Sequence, residues 1–309
     1  MKRERDVYYW QERSILKNLN SEWKEHIVFK IIDKDGYEGI GAATPESLYG
    51  ETFKTTMAVI ELLRRLTENF KDLGNLYDFE EQMNNLVKKD MASKTAVSLS
   101  ICDYINNKKS LDISKMFFKK QKAENTTLQK IFWKKDLNIL NIINKKNIKI
   151  EFLEKPSYKD VLETLKLCGN KNLWLDFRGK YNHYELRKLL KEIYTYNIIA
   201  IEQPVPPGRE YHVSDFALDY AIFWDESIEK MEDILRINNI GTGFVLDITK
   251  FGGILNIKKA LELSNLIGAE TMLSTRIEHP QNLKWSKKIE NSFDFIDIDI
   301  NHYIEKTSK

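Results

Sequence analysis

The chain has 309 residues, of which 42% are hydrophobic and 11% aromatic, enough apolar material for one large domain or two smaller ones. Its 48 Lys and Arg residues nearly balance 46 Asp and Glu residues, leaving a formal charge of +2, which disfavours nucleic acid or a membrane surface as a partner. Two cysteines, no apolar leader segment near residue 1 and no run of about 18 apolar residues lead us to expect a cytoplasmic protein with reduced thiols.

The first third of the chain has the pattern of strands followed by helices. β-branched residues at 27–32, followed by turn residues and a second apolar stretch, predict a β-hairpin. Three segments between Thr52 and Ile105 carry apolar residues at the 3.6-residue period of a helix. We therefore expect an α+β domain over residues 1–118, ending before the polar stretch 119–125.

The rest of the chain alternates between β-rich runs and helical patterns. Strands are predicted at eight places, 127–133, 148–152, 173–177, 198–201, 221–224, 243–248, 270–274 and 293–296. This count is typical of a TIM-like (β/α) barrel, and the absence of a Gly-rich loop after the first strand argues against a doubly wound sheet. We expect the barrel over residues 125–299 and a tail, 300–309, that returns toward the first domain.

Three carboxylates end three consecutive predicted strands. Asp176 lies in LWLDFRGK, Glu202 in IIAIEQP and Asp225 in FWDES, at spacings typical of one strand-helix unit each. In a barrel these side chains meet at the carboxyl-terminal mouth. Three hard oxygen ligands that leave room for water and substrate suit Mg2+, whereas the Cys and His ligands that Zn2+ prefers are missing from these strand ends. Each acid could instead cap the helix that follows it.

These residues, in their order, give the chain a resemblance to the enolase superfamily, in the muconate-cycloisomerase-like branch that includes dipeptide epimerases. The strings LDFRG, IEQP, DES and KFGGI follow one another with the family's spacing, and residues 35–52 are similar to the capping-domain segment of those epimerases. The resemblance implies an α+β cap over a (β/α)7β barrel. It also implies Mg2+ held by Asp176, Glu202 and Asp225, where the metal stabilises the enediolate formed when a base removes a proton α to a carboxylate or carbonyl.

At two positions the chain has an acid where the resemblance implies a lysine. Family members commonly pair a Lys-x-Lys on the second barrel strand with a Lys on the sixth. Here the second strand has Lys149 followed by Glu151, and the register set by Gly252 and Gly253 places Asp247 at the sixth-strand position. The candidate bases are therefore Glu151, Asp247 and, if the register is shifted, Lys149 or Lys250. Lys149 shares a strand face with Glu151.

Asp247 has two interpretations. It resembles the Asp that, in the mandelate-racemase-like branch, orients a His on the seventh strand, but the matching seventh-strand position here holds Arg276. An Asp247–Arg276 pair would bind an anionic substrate or act structurally, because a guanidinium with a pKa above about 12 is a poor base.

Glu151 also has two interpretations. It is a general base if burial raises its pKa, or it forms an ion pair with Lys149 or with Arg178, which stands where the family usually has an Asn. A cation two residues from Asp176 would compete electrostatically with Mg2+ unless it faces away or neutralises Glu151.

The end of the barrel carries predicted substrate-binding residues. Asp297 and Asp299 match the Asp-x-Asp that receives the α-ammonium of the substrate in dipeptide epimerases, and two carboxylates at i and i+2 share one strand face. Glu278 resembles an acid near the end of the family's seventh strand, where it could contact substrate or a neighbouring Lys. Arg276 completes the predicted set.

The sequence thus predicts an Mg2+-dependent racemase or epimerase acting on a small carboxylate or dipeptide substrate, with a homo-oligomer as an open option. Two alternatives remain. One is a pseudoenzyme that keeps the barrel and its pocket for binding or assembly, and the other is a dehydratase or lyase that uses Asp247.

Overall fold

The computed structural model describes residues 5–17, 23–119, 125–134, 145–214, 219–298 and 303–308. The strands within these residues are β1 (Arg5–Leu16), β2 (Trp23–Asp33), β3 (Glu38–Ala43), β4 (Thr126–Thr127), β5 (Gln129–Phe132), β6 (Asn147–Glu151), β7 (Asn172–Asp176), β8 (Ile198–Glu202), β9 (Ile222–Trp224), β10 (Gly243–Leu246), β11 (Glu270–Ser274), β12 (Phe295–Asp297) and β13 (Ile304–Ser308). The helices are α1 (Phe53–Asn69), α2 (Leu76–Leu86), α3 (Met91–Lys109), α4 (Ile113–Phe117), α5 (Tyr158–Cys168), α6 (His183–Ile193), α7 (Met231–Ile237), α8 (Ile248–Phe251), α9 (Ile254–Leu266) and α10 (Pro280–Ile289).

The first sheet is antiparallel, with the order β13-β1-β2-β3. The β2–β3 hairpin is the predicted one, and its turn is closed by the Asp33 carboxylate, which accepts hydrogen bonds from the backbone N–H groups of Asp35 and Tyr37, both at 3.0 Å. Helix α3 packs directly on β3, because Gly39 and Gly41 leave room for its backbone. We call this sheet and helices α1–α4 the cap.

The second sheet is a nearly closed parallel barrel. Its strands run in the order β4-β12-β11-β10-β9-β8-β7-β6-β5, and only Leu128 separates β4 from β5 in the chain. Thus β4 and β5 together form the first barrel strand. β4 pairs with the eighth strand, β12, and β5 pairs with the second strand, β6, so the ring closes through the first strand. A buried apolar layer from six strands fills the interior, formed by Leu128, Trp174, Ala200, Phe223, Val245 and Met272. These two sheets confirm the predicted α/β barrel with an α+β cap.

Residues two positions after the apolar layer point into the mouth of the barrel, since side chains alternate along a strand. This register places Glu202 above Ala200, Asp225 above Phe223 and Asp247 above Val245. The chain therefore builds a charged layer directly over the apolar one, at the end of the barrel where such folds carry their active sites.

The cap is fixed over this mouth by hydrogen bonds and by the end of the chain. The Asn282 side chain in α10 accepts from the N–H of Ala42 at 3.2 Å and donates to its carbonyl at 2.7 Å. On the other side, the Ser98 hydroxyl in α3 accepts from the N–H of Ile254 at 3.2 Å. Strand β13 returns to pair with β1.

Both cysteines, Cys102 and Cys168, are buried free thiols, as expected. No helix in the described part of the chain combines the length and apolar character needed to cross a bilayer.

A buried histidine in the cap gives a first testable prediction. His26 is fully buried in β2, where its ring nitrogens lie 2.8 Å from the hydroxyls of Ser14 and Thr44. Burial lowers the pKa of His26 to about 3, with a smaller effect from the charges of His279 and Lys24. Between pH 6.5 and 3 the unfolded chain therefore binds this proton more readily, so the free energy of unfolding falls by about 1.4 kcal/mol per pH unit.

The measurement is urea denaturation of the wild type and of His26→Gln at pH 7 and pH 5. Gln can still hydrogen-bond to both hydroxyls but does not titrate. From pH 7 to pH 5 the wild type is expected to lose about 2 kcal/mol more than the variant. Equal losses in the two proteins would show that His26 protonates in the folded state without cost.

Candidate active site

A cavity of about 300 Å³ lies where the cap meets the carboxyl ends of the barrel strands. Its apolar lining includes Leu16, Leu48 and Phe132, and its size suits a small ligand. The charged residues that line it are Lys24, Glu46, Lys130, Lys149, Glu151, Asp176, Arg178, Asp225, Glu226, Asp247 and Arg276. Most of the predicted catalytic and metal-binding residues therefore share one cavity under the cap.

Two of the predicted metal ligands converge on a buried ammonium group. The Nζ atom of Lys149 lies 2.8 Å from Oε1 of Glu202, 3.1 Å from Oδ2 of Asp297 and 3.5 Å from Oδ2 of Asp176. The second oxygen of Glu202 accepts a hydrogen bond from Nε1 of Trp174 at 2.6 Å. Burial lowers the pKa of Lys149, but the carboxylates outweigh that effect and hold it well above its ordinary value.

Burial raises the pKa of both Asp176 and Glu202, and repulsion from neighbouring acids adds to the effect on Glu202. Lys149 opposes both shifts. A position surrounded by these acids therefore stabilises a cation.

The third predicted metal ligand, Asp225, directly follows β9 and pairs with a different cation. Its Oδ1 lies 2.5 Å from Nζ of Lys250, which also donates to the carbonyls of Asp225 at 3.1 Å and Val245 at 2.7 Å. Burial raises the pKa of Asp225, but Lys250 and then Lys149 and Arg178 lower it overall. The Gln203 side chain holds the backbone here by accepting from the N–H of Asp225 at 3.0 Å.

The donor chemistry at this mouth fits Mg2+, although the acids do not form a coordination shell as they stand. Among the described residues, no group of three or more His, Cys, Asp or Glu side chains is arranged to hold a metal. Beside Asp225, however, Oε2 of Glu226 is buried without a hydrogen-bond partner in the described chain. Burial and the charges of Asp225 and Asp176 raise the pKa of Glu226 to about 8. The raised pKa reflects the crowding of acids at this mouth, and a bound cation would favour the ionised form of Glu226.

Glu151, at the end of the second barrel strand, forms an ion pair with Arg178. Nη1 of Arg178 donates to Oε1 of Glu151, and Nζ of Lys130 lies 3.9 Å from its other oxygen. Burial raises the pKa of Glu151, but Arg178, Lys130 and Lys149 together lower it. Glu151 thus has Arg178 as its ion-pair partner, one of the two partners expected from the sequence, and its ionised carboxylate also lines the cavity.

Asp247 begins helix α8 and holds Arg276. Its Oδ1 accepts from the N–H groups of Thr249 at 2.6 Å and Lys250 at 3.1 Å, and its Oδ2 lies 3.3 Å from Nε of Arg276. The cap contributes the ring of Tyr49, whose centroid lies 4.8 Å from Cζ of Arg276, a cation–π distance. Asp247 and Arg276 therefore pair as expected from the sequence.

The other predicted substrate-binding residues that the structure describes are buried and have partners within the protein. Asp297 is fully buried, and its Oδ2 lies 2.9 Å from Lys130 in addition to its contact with Lys149. Glu278 is also buried; its Oε2 accepts from Asn282 at 3.0 Å, and burial and Asp247 raise its pKa to about 7. Asp299 lies outside the described residues.

Sequence reasoning missed four charged residues that line the cavity: Lys24 and Glu46 from the cap, and Lys130 and Glu226 from the barrel. Lys130, in β5, is 4% exposed and joins Asp297, Glu151 and the carbonyl of Thr275. A single lysine in the apolar run KIFW was the available signal. Glu226 was also missed, and its only signal was its place directly after Asp225.

A barrel with charged residues at its mouth, covered by an α+β cap, defines the class of this protein. Residues 148–308, more than half of the chain, match the family described as enolase C-terminal domain-like, so the chain belongs to that family. This confirms the enolase-superfamily resemblance. It does not test the roles of individual side chains.

The relatives include dipeptide epimerases. The chain is 24% identical over 289 residues to an L-Ala-D/L-Glu epimerase of Bacteroides thetaiotaomicron, covering 87% of this chain and 72% of the relative. It superposes with a TM-score of 0.87 on a dipeptide epimerase from Enterococcus faecalis V583, at 18% identity, covering 99% of this chain and 92% of that one. A dipeptide epimerase from Methylococcus capsulatus, solved with Mg and the dipeptide L-Arg-D-Lys, gives a TM-score of 0.84 at 17% identity, covering 98% and 92%. These structures show the shared fold.

Proposed function

We propose that this protein is an Mg2+-dependent isomerase of the epimerase type, which exchanges the proton α to a carboxylate in a small substrate such as a dipeptide. The observation that carries the proposal is the set of carboxylates at the ends of three consecutive barrel strands, Asp176, Glu202 and Asp225, beneath a cap that encloses a small cavity. The similarity to dipeptide epimerases supports the same reaction class.

In this proposal Asp176, Glu202 and Asp225 hold the metal. When bound, Mg2+ would supply the positive charge that stabilises a substrate carboxylate as its α-carbon loses a proton. Lys149 stays protonated, because the surrounding carboxylates keep its pKa high, and its ammonium group adds fixed positive charge beside the reacting centre.

Glu151 and Asp247 are the proposed proton acceptors. They lie at the ends of the second and sixth strands, four strands apart in a ring of eight, and so on opposite sides of the cavity. Opposed bases can remove a proton from one face of an α-carbon and return it to the other, as inversion of the centre requires. Lys149 is a poor base while it remains charged, so we assign it no proton removal.

Substrate contacts in this proposal come from Arg276 and Tyr49 at the cavity wall. Recognition of an α-ammonium by Asp297 and Asp299 stays a prediction from the resemblance, because two lysines already neutralise Asp297. Glu278, below Arg276, is proposed to support that guanidinium.

The test is calorimetric titration of Mg2+ into chelator-treated protein, with Asp225→Asn as the variant. One site is expected in the wild type, and at least a tenfold weaker affinity in Asp225→Asn, because the amide keeps the shape and loses the charge. Asp233→Asn, an acid in α7 outside the cavity, is the matched control and should leave binding unchanged. The same wild-type protein is then incubated with dipeptides in D2O, and exchange of α-hydrogen is followed by NMR.

A second candidate is a binding protein without turnover. It is favoured by the pairing of Glu151 with Arg178, which lowers the pKa of Glu151 and makes its carboxylate accept a proton less readily. Mg2+ binding without any α-hydrogen exchange would select this candidate, and the absence of both would remove the isomerase proposal. The lyase alternative needs a histidine in place of the seventh-strand His, and His279, three residues after Arg276, is the nearest one in the sequence. His279 lies 3.0 Å from Glu12 and caps α10 rather than lining the cavity, so no observation favours the lyase alternative.

A further inference from the structure

Two arginines face the cavity from opposite walls. Arg178 follows the third barrel strand and Arg276 follows the seventh, and these strands are four apart in a ring of eight. Both side chains line the same cavity, and they are 30% and 21% exposed. A ligand held in this cavity therefore lies between two guanidinium groups.

Each arginine is held in place by a carboxylate that accepts from only some of the N–H groups of the guanidinium. Arg178 donates through Nη1 to Glu151, and its Nε lies 3.6 Å from Glu226. Arg276 directs Nε at Asp247, with the Tyr49 ring against its guanidinium carbon. Since an arginine carries five N–H donors, both retain donors for a further acceptor.

The remaining donors of Arg276 include one that lacks a partner. Its Nη1 is buried and makes no hydrogen bond within the described residues. A buried donor without an acceptor is costly, so this atom indicates an acceptor that the protein itself does not provide.

The backbone of Arg178 has an unusual conformation, which accords with a side chain held in place for a ligand. Its φ is 49°, in the left-handed region that non-glycine residues seldom adopt. Such a conformation is maintained where the surrounding structure requires it, and it is frequent at ligand sites.

A carboxylate in the cap, that of Glu46, shows the effect of the two arginines on an acid in this cavity. Glu46 lines the cavity and pairs with Lys24 at 2.8 Å. Burial raises the pKa of Glu46, but Lys24 and then Arg276 and Arg178 lower it overall. Both arginines therefore stabilise an ionised carboxylate that lines the cavity.

We propose that Arg178 and Arg276 bind the two ends of one ligand, and that this ligand is a small dicarboxylate. The inference rests on the proposed function only in taking this cavity as the ligand site; it requires neither Mg2+ nor proton transfer. Fork-shaped guanidinium groups on opposite walls select two planar carboxylates separated by a short chain.

The experiment measures binding by calorimetry in the presence of a chelator, so that no metal bridges ligand and protein. The probes are succinate, glutarate and adipate, each compared with the monocarboxylate of equal carbon number: butyrate, valerate and hexanoate. At least one dicarboxylate is expected to bind about tenfold or more tightly than its monocarboxylate partner, because it engages both arginines.

The variants are Arg178→Gln and Arg276→Gln, with Arg209→Gln, an exposed arginine outside the cavity, as the matched control. Each cavity variant is expected to lower dicarboxylate affinity to the monocarboxylate level, and the control to leave it unchanged. Arg178→Lys and Arg276→Lys keep the charge; they should fold even if the Gln variants do not, and should show an intermediate loss.

Equal affinity of dicarboxylates and monocarboxylates, no binding of any probe, or a loss in only one cavity variant would each overturn the inference. Its failure is distinct from that of the isomerase proposal. Dicarboxylate binding that needs both arginines, in a protein that exchanges no α-hydrogen, supports the inference and removes the isomerase. Exchange of α-hydrogen with arginine-independent binding does the reverse.

Discussion

Glu151→Gln is expected to slow α-hydrogen exchange from one enantiomer of the substrate strongly, and Asp247→Asn from the other. If the two carboxylates act on opposite faces of the α-carbon, each amide removes one proton acceptor and leaves the other in place. A positioned base contributes about 10²- to 10⁴-fold in rate, so each variant should lose that much for one enantiomer. Exchange in D2O, followed by NMR on each pure enantiomer, measures the effect.

Both substitutions are chosen to preserve the fold. Gln keeps an acceptor for Arg178. Asp247 caps the start of α8 by accepting from two backbone N–H groups, and Asn is an equally good capping residue at that position. Glu154→Gln is the matched control, since Glu154 is an exposed acid three residues after Glu151 and pairs with Lys134. If both variants lost exchange equally for both enantiomers, Glu151 and Asp247 would not be separate bases.

Most barrel strands could be predicted because their local patterns suffice. The run 148–152 corresponds to β6 (Asn147–Glu151), and 270–274 corresponds to β11. The sixth strand was predicted to continue through residue 248, but β10 ends at Leu246. The Asp247 carboxylate binds the next N–H groups and turns the chain into α8, a local hydrogen bond that overrides β propensity.

Elements that depend on distant partners could not be predicted. Strand β1 (Arg5–Leu16) alternates apolar and charged residues irregularly, and its pairing with β13 joins the two ends of the chain. The division of the first barrel strand at Leu128 depends on the N–H of that residue bonding to Ile296, 168 residues later. Neither feature has a local sequence signal.

The candidate site divides in the same way. Strand-end spacing placed Asp176, Glu202 and Asp225 at the mouth of the barrel. The partner of Glu151 was left open between Lys149 and Arg178, because the choice depends on side-chain directions across neighbouring strands. The role of Lys130 was missed since its main partner, Asp297, lies at the far end of the barrel sequence.

Lys149→Met is expected to lower the free energy of unfolding by about 3–5 kcal/mol at pH 7, since removing one partner of a buried ion pair leaves its acids uncompensated. Lys149 is 1% exposed and contacts Glu202, Asp297 and Asp176. Met fills a similar volume without charge. Urea denaturation measures the loss, and Lys146→Met, an exposed lysine just before β6, is the matched control with an expected change within about 0.5 kcal/mol.

The pH dependence of this loss identifies its electrostatic origin. Without the ammonium group, the folded-state pKa values of Asp176 and Glu202, which are already raised, rise further above their unfolded values. Their folded forms then bind protons more readily, so the stability of the variant increases as the pH falls toward about 4.5. The difference from the wild type should therefore shrink between pH 7 and pH 5. A constant difference would mean that Lys149 acts through packing alone.

The charge of Lys149 is also expected to affect Mg2+ binding. Lys149 and Mg2+ would neutralise two of the same acids, Asp176 and Glu202, so the ammonium weakens metal binding through like charge. Lys149→Met should bind Mg2+ more tightly than the wild type. Excess Mg2+ should then stabilise the variant more, because the gain in stability grows with the logarithm of one plus the ratio of ligand concentration to Kd. If Mg2+ stabilised both proteins equally, or neither, Asp176 and Glu202 would not be ligands shared by the two cations.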